Sequence, residues 1–208
     1  MTISYEWRIY CETEGAQKVI ISNGDISNVP APRCPTDANH TVTEGSLWFN
    51  NYKLTKDRVI VLSDKRVSGT SGGTTSSGNW FQRTLNTIEG PDQTFCTLTA
   101  NNFILSSGKY TVEGSVPGFN CGTYQARIVD SLSNVLVYGT CEYNASNSVQ
   151  TRSFFKYTFE ITSETTFALQ QKVGTTNATN GGGRSTGFGI AGQITEVYSV
   201  IHITKHGV

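Results

Sequence analysis

FFKYTFEIT, residues 154–162, alternates strictly. Phe155, Tyr157, Phe159 and Ile161 fall on one side of an extended chain, and Lys156, Thr158 and Glu160 fall on the other. Successive side chains of a strand point to opposite faces, so a period of two marks a strand with one buried face. The same period recurs on both sides of this stretch. In KYTVEGSV (109–116), Tyr110, Val112 and Gly114 oppose Thr111, Glu113 and Ser115. In the closing run TEVYSVIHIT (195–204), Val197, Ser199, Ile201 and Ile203 alternate with Tyr198, Val200 and His202. Turn-forming clusters separate the runs: LSSGK (105–109), DSLSN (130–134) and NASNS (144–148). Eight strands are predicted, at 80–86, 94–98, 109–116, 122–130, 134–141, 151–161, 165–173 and 187–203. Their spacing points to an antiparallel sandwich or barrel. No segment carries an apolar stripe at helical spacing, so the chain reads as all-β.

Two further regions precede this one. Residues 1–67 read as a small β module, with strands at 5–13, 17–22 and 41–49 and a short one at 58–62. A core of some sixty residues is marginal, and Trp7 and Trp48 are its largest apolar side chains. Residues 68–79, SGTSGGTTSSGN, hold only small polar residues and glycine, the composition of a flexible linker. Residues 80–208 form the sandwich.

Composition narrows the function classes. Of the 208 residues 15% are charged, and 16 Lys and Arg balance 16 Asp and Glu. A neutral chain with no basic run gives no electrostatic footprint for nucleic acid or an anionic membrane. No apolar run reaches the ~18 residues of a membrane span. The first residues, MTISYEWRIYCETEG, lack a basic start followed by an apolar run, so synthesis in a cytosol is expected.

Chemistry-bearing residues are sparse. There is no GxSxG, HExxH, Walker loop or helix-opening GxGxxG, and the acidic residues Asp92, Glu142 and Glu164 stand singly. The run Gly181–Arg184 precedes a strand and reads as a sheet-edge loop, not a phosphate cradle. No enzyme activity and no cofactor are expected. Cys11, Cys34 and His40 are the weak metal candidates, three groups where zinc wants four. Cys11 with Cys34, and Cys121 with Cys141 on consecutive predicted strands, are disulfide candidates beside the alternative of free thiols. The acceptor-like triplets at Asn144 and Asn177 read as turns. Tyr138, Tyr143, Tyr157 and Tyr198 fit a core, a sugar-binding groove or a subunit interface.

Several runs carry a family resemblance. The opening Gly108, Tyr110, Val112, the strand YQARI (124–128), the run LVYGTCEY (136–143), the entry TRSF (151–154) and the closing EVYSVI (196–201) resemble a domain of phage tail-fibre and other viral appendage proteins. The resemblance covers residues 100–206, half the chain. It implies a trimeric jelly roll related in shape to tumour necrosis factor-like heads. Cys121, where charged residues are usual, and the longer TNGGGRSTG loop (179–187) depart from the pattern. The N-terminal WRIYCETE (7–14) with CPTDANH (34–40) is similar to a small module of structural proteins of large DNA viruses and some phages, which implies an attachment or adaptor unit.

These readings lead to a virion structural protein that decorates a capsid or tips a fibre, made in the host cytoplasm and exposed on the particle surface. Its expected partners are two further copies of itself, other capsid or fibre proteins, and a host-surface glycan or protein. A stand-alone carbohydrate-binding sandwich is the alternative. The 149–161 strand has Phe154 opposite the Phe155 face, and a large apolar residue on a strand's outer face asks for cover. Phe154, with Tyr198 and Val200 on the closing strand, is therefore the expected trimer contact.

Overall fold

The computed structural model describes the backbone of residues 4–11, 14, 16–23, 42–43, 57–145, 149–186 and 195–207, and the side chains of 14, 57–145, 149–186 and 195–207. The chain divides into two compact units, residues 1–55 and Lys56–Gly207.

The first unit is a three-stranded antiparallel sheet in the order β2-β1-β3, built from β1 (Ser4–Cys11), β2 (Ala16–Asn23) and β3 (Val42–Thr43). β1 and β2 form a hairpin in which Ser4 pairs with Asn23 and Cys11 with Ala16. The predicted strand at 41–49 is described only over β3. The side chain of Cys11, all of Cys34 and all of His40 lie outside the described residues.

The second unit contains β4 (Arg58–Val67), β5 (Phe81–Gln82), β6 (Thr87–Glu89), β7 (Cys96–Thr99), β8 (Asn102–Leu105) and β9 (Gly108–Phe119). β10 (Gly122–Asp130), β11 (Val135–Tyr138), β12 (Glu142–Asn144), β13 (Gln150–Ile161), β14 (Thr165–Val173) and β15 (Thr195–Lys205) follow. One sheet runs β13-β9-β15-β4-β6, and the other runs β11-β10-β14-β8-β7, with β12 beside β10 and β5 beside β14. Four antiparallel pairings are nested: β4 with β15, β8 with β14, β9 with β13 and β10 with β11. Each outer pair encloses the next in sequence, and the pairs fall alternately in the two sheets. A long hairpin rolled on itself has this connectivity, and it is a jelly roll. The protein is an all-β sandwich of two antiparallel sheets.

The alternation read from the sequence fills the interior. Tyr110, Val112, Phe155, Ile201 and Ile203 of the first sheet meet Phe103, Leu105, Ile128, Phe167 and Leu169 of the second. Phe159 stacks on Tyr110 and meets Phe167 edge-on, with centroids 5.8 and 5.6 Å away. The chain enters and leaves this unit at one place: the Gly207 amide donates to Asp57 Oδ1 at 3.0 Å, and Arg58 pairs with Lys205.

Two boundaries differ from the sequence reading. Residues 58–62, assigned to the N-terminal module, open β4, whose Ile60 and Leu62 are core residues of the sandwich. Residues 68–79, expected to be a flexible linker, are pinned within the sandwich unit. Gly72 donates its amide to Gly183 at 2.8 Å, Gly182 donates back to Gly73 at 2.9 Å, and Thr75 and Asn177 exchange both backbone bonds. Small residues are needed here for approach, not for freedom. A Cβ on Gly72 would lie 2.3 Å from the Gly182 carbonyl oxygen. Elsewhere the predicted strand 80–86 shortens to β5, the short strands β6, β8 and β12 lie between the predicted ones, and the closing strand is described from Thr195.

A polar clamp holds this end of the sandwich. The buried guanidinium of Arg83 donates from Nε to Ser199 Oγ at 3.2 Å, and from Nη2 to the carbonyls of Gly182 at 2.7 Å and Gly72 at 3.4 Å. Arg83 follows β5 on the second sheet and Ser199 lies on β15 of the first, so one side chain joins both sheets and both loops. Desolvation lowers its pKa to about 10, against the attraction of buried Asp64, so it stays charged at neutral pH. Nearby Gln171 donates to the Pro117 carbonyl at 3.1 Å. The Tyr124 and Thr151 hydroxyls share a bond of 2.8 Å.

Removing one member of a buried charged network leaves its partners unsatisfied, at a cost of roughly 3–5 kcal/mol. Arg83→Ala should lower urea-unfolding stability by about that amount. It should also expose residues 68–79 to subtilisin, against which the wild-type protein should be protected there. Equal cleavage of both proteins in this segment would show that the clamp does not pin it.

Candidate functional site

The register of the first sheet places its outward side chains in rows. Phe154, Ser115 and Val200 lie side by side on β13, β9 and β15. The next row is Lys156, Glu113, His202 and Val61, and the one after it Thr158, Thr111, Thr204 and Val59. Phe154 is 57% exposed, although its strand neighbour Phe155 is in the core. Val59 and Val197 add exposed apolar surface on β4 and β15. A shallow hollow of about 240 Å³ is lined by Phe154, Glu113 and Lys156.

Between the apolar side chains the face is tied by hydrogen bonds. Arg152 Nε donates to Ser115 Oγ at 2.8 Å, and the Thr111 and Thr158 hydroxyls are 2.8 Å apart. Lys156 pairs with Glu113 at 2.7 Å and holds that carboxyl below the usual range, first through the hydrogen bond and then through charge. Both partners are exposed, so water screens the pair and it adds little to stability. Its effect is to fix the side chains flanking Phe154.

Of the three expected contact residues, the structure brings two together. Phe154 and Val200 share a row, two strands apart. Tyr198 does not join them: it is buried within the single chain, and its hydroxyl donates to the Thr70 carbonyl at 2.7 Å and to the Glu196 carboxylate. The cause is a register shift between Val197 and Val200, a bulge that re-aims the side chains before it. Tyr198 instead packs under the 70–72 segment, where a Cβ on Gly72 would come 2.8 Å from its ring.

The cysteine candidates separate as well. Cys96, Cys121 and Cys141 are free thiols, the first two buried and Cys141 exposed. The Cys121 amide donates to Asn144 Oδ1 at 3.0 Å, and its Sγ lies 3.6 Å from the same oxygen. Burial raises the Cys96 pKa to about 12 and the Cys121 pKa to about 11. Among the described residues no three His, Cys, Asp or Glu side chains are grouped to hold a metal ion. Residues missed from sequence are Arg83, Arg152 and Glu196, polar side chains at positions where a strand faces the interior or a covering loop. Their only signal was a charge placed in phase with apolar neighbours.

No protein-family model and no curated protein matches the chain. Among solved structures, murine APRIL at pH 8.0 is similar with a TM-score of 0.45 and 9% identity, over 72% of this chain and 99% of that one. The globular domain of zebrafish complement 1qA gives 0.38 and 8%, over 73% and 97%. The structure of infectious bursal disease virus, Gt strain, gives 0.37 and 10%, over 99% and 53%. At these scores the likenesses carry no inference, and the jelly-roll assignment rests on strand order.

A thiol must be accessible and ionised to react. In native protein at pH 8, a maleimide should therefore modify Cys141 and leave Cys96 and Cys121 unmodified until denaturant is added, as read by peptide mass mapping. Recovery of a Cys121–Cys141 bridged peptide from non-reduced protein would contradict this assignment.

Proposed function

We propose that this protein is a non-enzymatic structural subunit of a virus particle surface, decorating a capsid or tipping a fibre, and that it assembles as a homotrimer through the outer face of the β13-β9-β15-β4 sheet. The observation that carries the assembly reading is Phe154, a large apolar side chain exposed on the outer face of a strand whose inner face is already in the core. Val200 in the same row and Val59 and Val61 on β4 extend a strip of apolar side chains, interrupted by Ser115, Glu113 and His202, across the sheet. A solvated sheet face ordinarily reads polar opposite its core face. A strip that breaks this alternation is best explained by cover from another subunit, and a closed ring of identical contacts is the common way to supply it.

The viral reading rests on the appendage-protein runs over residues 100–206 and the WRIYCETE frame. An all-β sandwich with its loops at the two ends fits it, because loops on a rigid scaffold can vary to meet a host surface while the sheets keep the assembly constant. The protein is made in the host cytoplasm and displayed on the particle, where other capsid or fibre proteins hold it.

Truncating a well-packed interface aromatic costs about 2 kcal/mol or more, repeated at each contact of a ring. Phe154→Ala should shift the purified protein from trimer toward monomer in size-exclusion chromatography with light scattering, with its β-sheet circular dichroism unchanged. A wild-type protein that is monomeric at micromolar concentration, or a Phe154→Ala variant that stays trimeric, would refute this interface. Absence of the protein from purified particles by mass spectrometry would refute the virion assignment separately.

A further inference from the structure

The outer face of the second sheet has a different chemistry. Trp80, just before β5, lies across β10 and β14. The Arg127 guanidinium sits over its ring at 4.1 Å from the centroid, and the Tyr138 ring flanks it at 6.1 Å with the planes 47° apart. Arg127 is held in place by its Nε–H bond to Gln170 Oε1 at 2.8 Å. Trp80 forms one wall of a groove of about 340 Å³, whose other walls include Gln125, Glu142, Lys172 and Cys141. Gln125 Nε2 donates to the Gly139 carbonyl at 2.9 Å, and Glu142 accepts from the Thr140 hydroxyl at 2.8 Å.

Two exposed tyrosines lie on the same face of the sheet as the groove. Tyr138 pairs with Arg127 and Tyr143 with Thr123, so the two tyrosines stand about 13 Å apart along β10 at the usual strand rise. They are 53% and 68% exposed. Neither hydroxyl, nor the Trp80 indole N–H, nor the Lys172 ammonium makes a hydrogen bond to another described residue.

We propose that this groove binds a saccharide, with a pyranose ring stacked beside Trp80 and further sugar along β10 between Tyr138 and Tyr143. A pyranose presents an apolar C–H face rimmed by hydroxyls that both donate and accept. The groove offers the complement: an indole fixed by a stacked guanidinium, surrounded by amide, carboxylate, ammonium and phenol groups with bonding capacity left over. Such a lining, aromatic with a few polar groups that set orientation, is how small-ligand sites are built. A cationic ligand is disfavoured by Arg127 and Lys172. A second copy of the chain is a poorer fit, because this face lacks the valine strip of the opposite sheet. The inference is independent of the assembly reading, since the two sites lie on opposite sheets.

The test uses the full-length protein on an array of glycans ending in glucose, galactose, N-acetylglucosamine and glucuronic acid, with hits confirmed by saturation-transfer NMR. Wild type should bind at least one class. Trp80→Ala should weaken that binding by about tenfold or more, the loss expected for an aromatic stacking contact. Should Trp80→Ala fail to fold, Tyr143→Ala provides the second arm, because its exposed ring can be removed without touching the core. The bound glycan should also slow maleimide modification of Cys141, which lines the groove. Phe154→Ala should keep its glycan binding per chain even if the trimer is lost. No glycan bound at millimolar concentration, or binding unchanged in both Trp80→Ala and Tyr143→Ala, would overturn the proposal. So would a change of oligomeric state in Trp80→Ala, which would make the groove a subunit contact.

Discussion

One buried guanidinium organises the end of the sandwich where the apolar core gives out. Arg83 reaches from the second sheet to Ser199 of the first and donates to two glycine carbonyls from loops more than a hundred residues apart in sequence. A charge in that position cannot be left without partners, so the carbonyls of Gly72 and Gly182 must converge on it. The convergence excludes side chains at both glycines, lays the 68–79 segment against 173–183, and closes the cover over Tyr198. Gln171 and Tyr124 extend the same polar layer toward β9 and β13. The interior thus has two regimes, hydrocarbon between the sheet centres and a hydrogen-bonded polar layer at the loop end, in which Gln171 Oε1 and Thr75 Oγ1 are left without a partner among the described residues.

The two outer faces follow from what lies beneath them. Both sheets point their apolar residues inward, which leaves the alternate positions free to differ. On the first sheet those positions hold threonines, serines and valines around Phe154, and the few charges pair across strands, as Lys156 does with Glu113. That surface can lose its water at little cost. On the second sheet they hold glutamines, Arg127, Lys172 and three exposed or half-exposed aromatic rings, a surface that keeps its polar capacity. A subunit face and a ligand face on opposite sheets would allow assembly to present three outward-directed copies of the second.

Period-two alternation made β9, β10, β13 and β14 legible, because each has a continuous inner row such as Phe155, Phe159 and Ile161. What escaped were the features that depend on partners distant in sequence. β4 pairs with β15 across almost the whole sandwich unit, and nothing local in Arg58–Val67 says so. The glycine-serine run read as slack because composition reports flexibility of a free chain, whereas Arg83 holds it by backbone bonds. The candidate contact residues were read from alternation too. Phe154 and Val200 keep their phase, but the bulge between Val197 and Val200 breaks it, and Tyr198 turns inward. The Trp80 groove was half visible: Tyr138 and Tyr143 were noted as groove candidates, but the stacking of Arg127 on Trp80 joins residues far apart in the chain.

The juncture of Asp57 with Gly207 has a mechanical meaning. β4 and β15 are antiparallel neighbours whose outer ends, Arg58 and Lys205, form the first rung of their ladder. A pull applied through the two ends of the sandwich therefore does not shear the whole ladder at once. It opens like a zip, one rung after another from Arg58 and Lys205 inward, and each rung bears the load alone. Force delivered through only one of these strands, and resisted elsewhere on the sandwich, would instead load many rungs in parallel. The same fold is thus weak against stretching between its own two ends and much stronger when anchored by its faces.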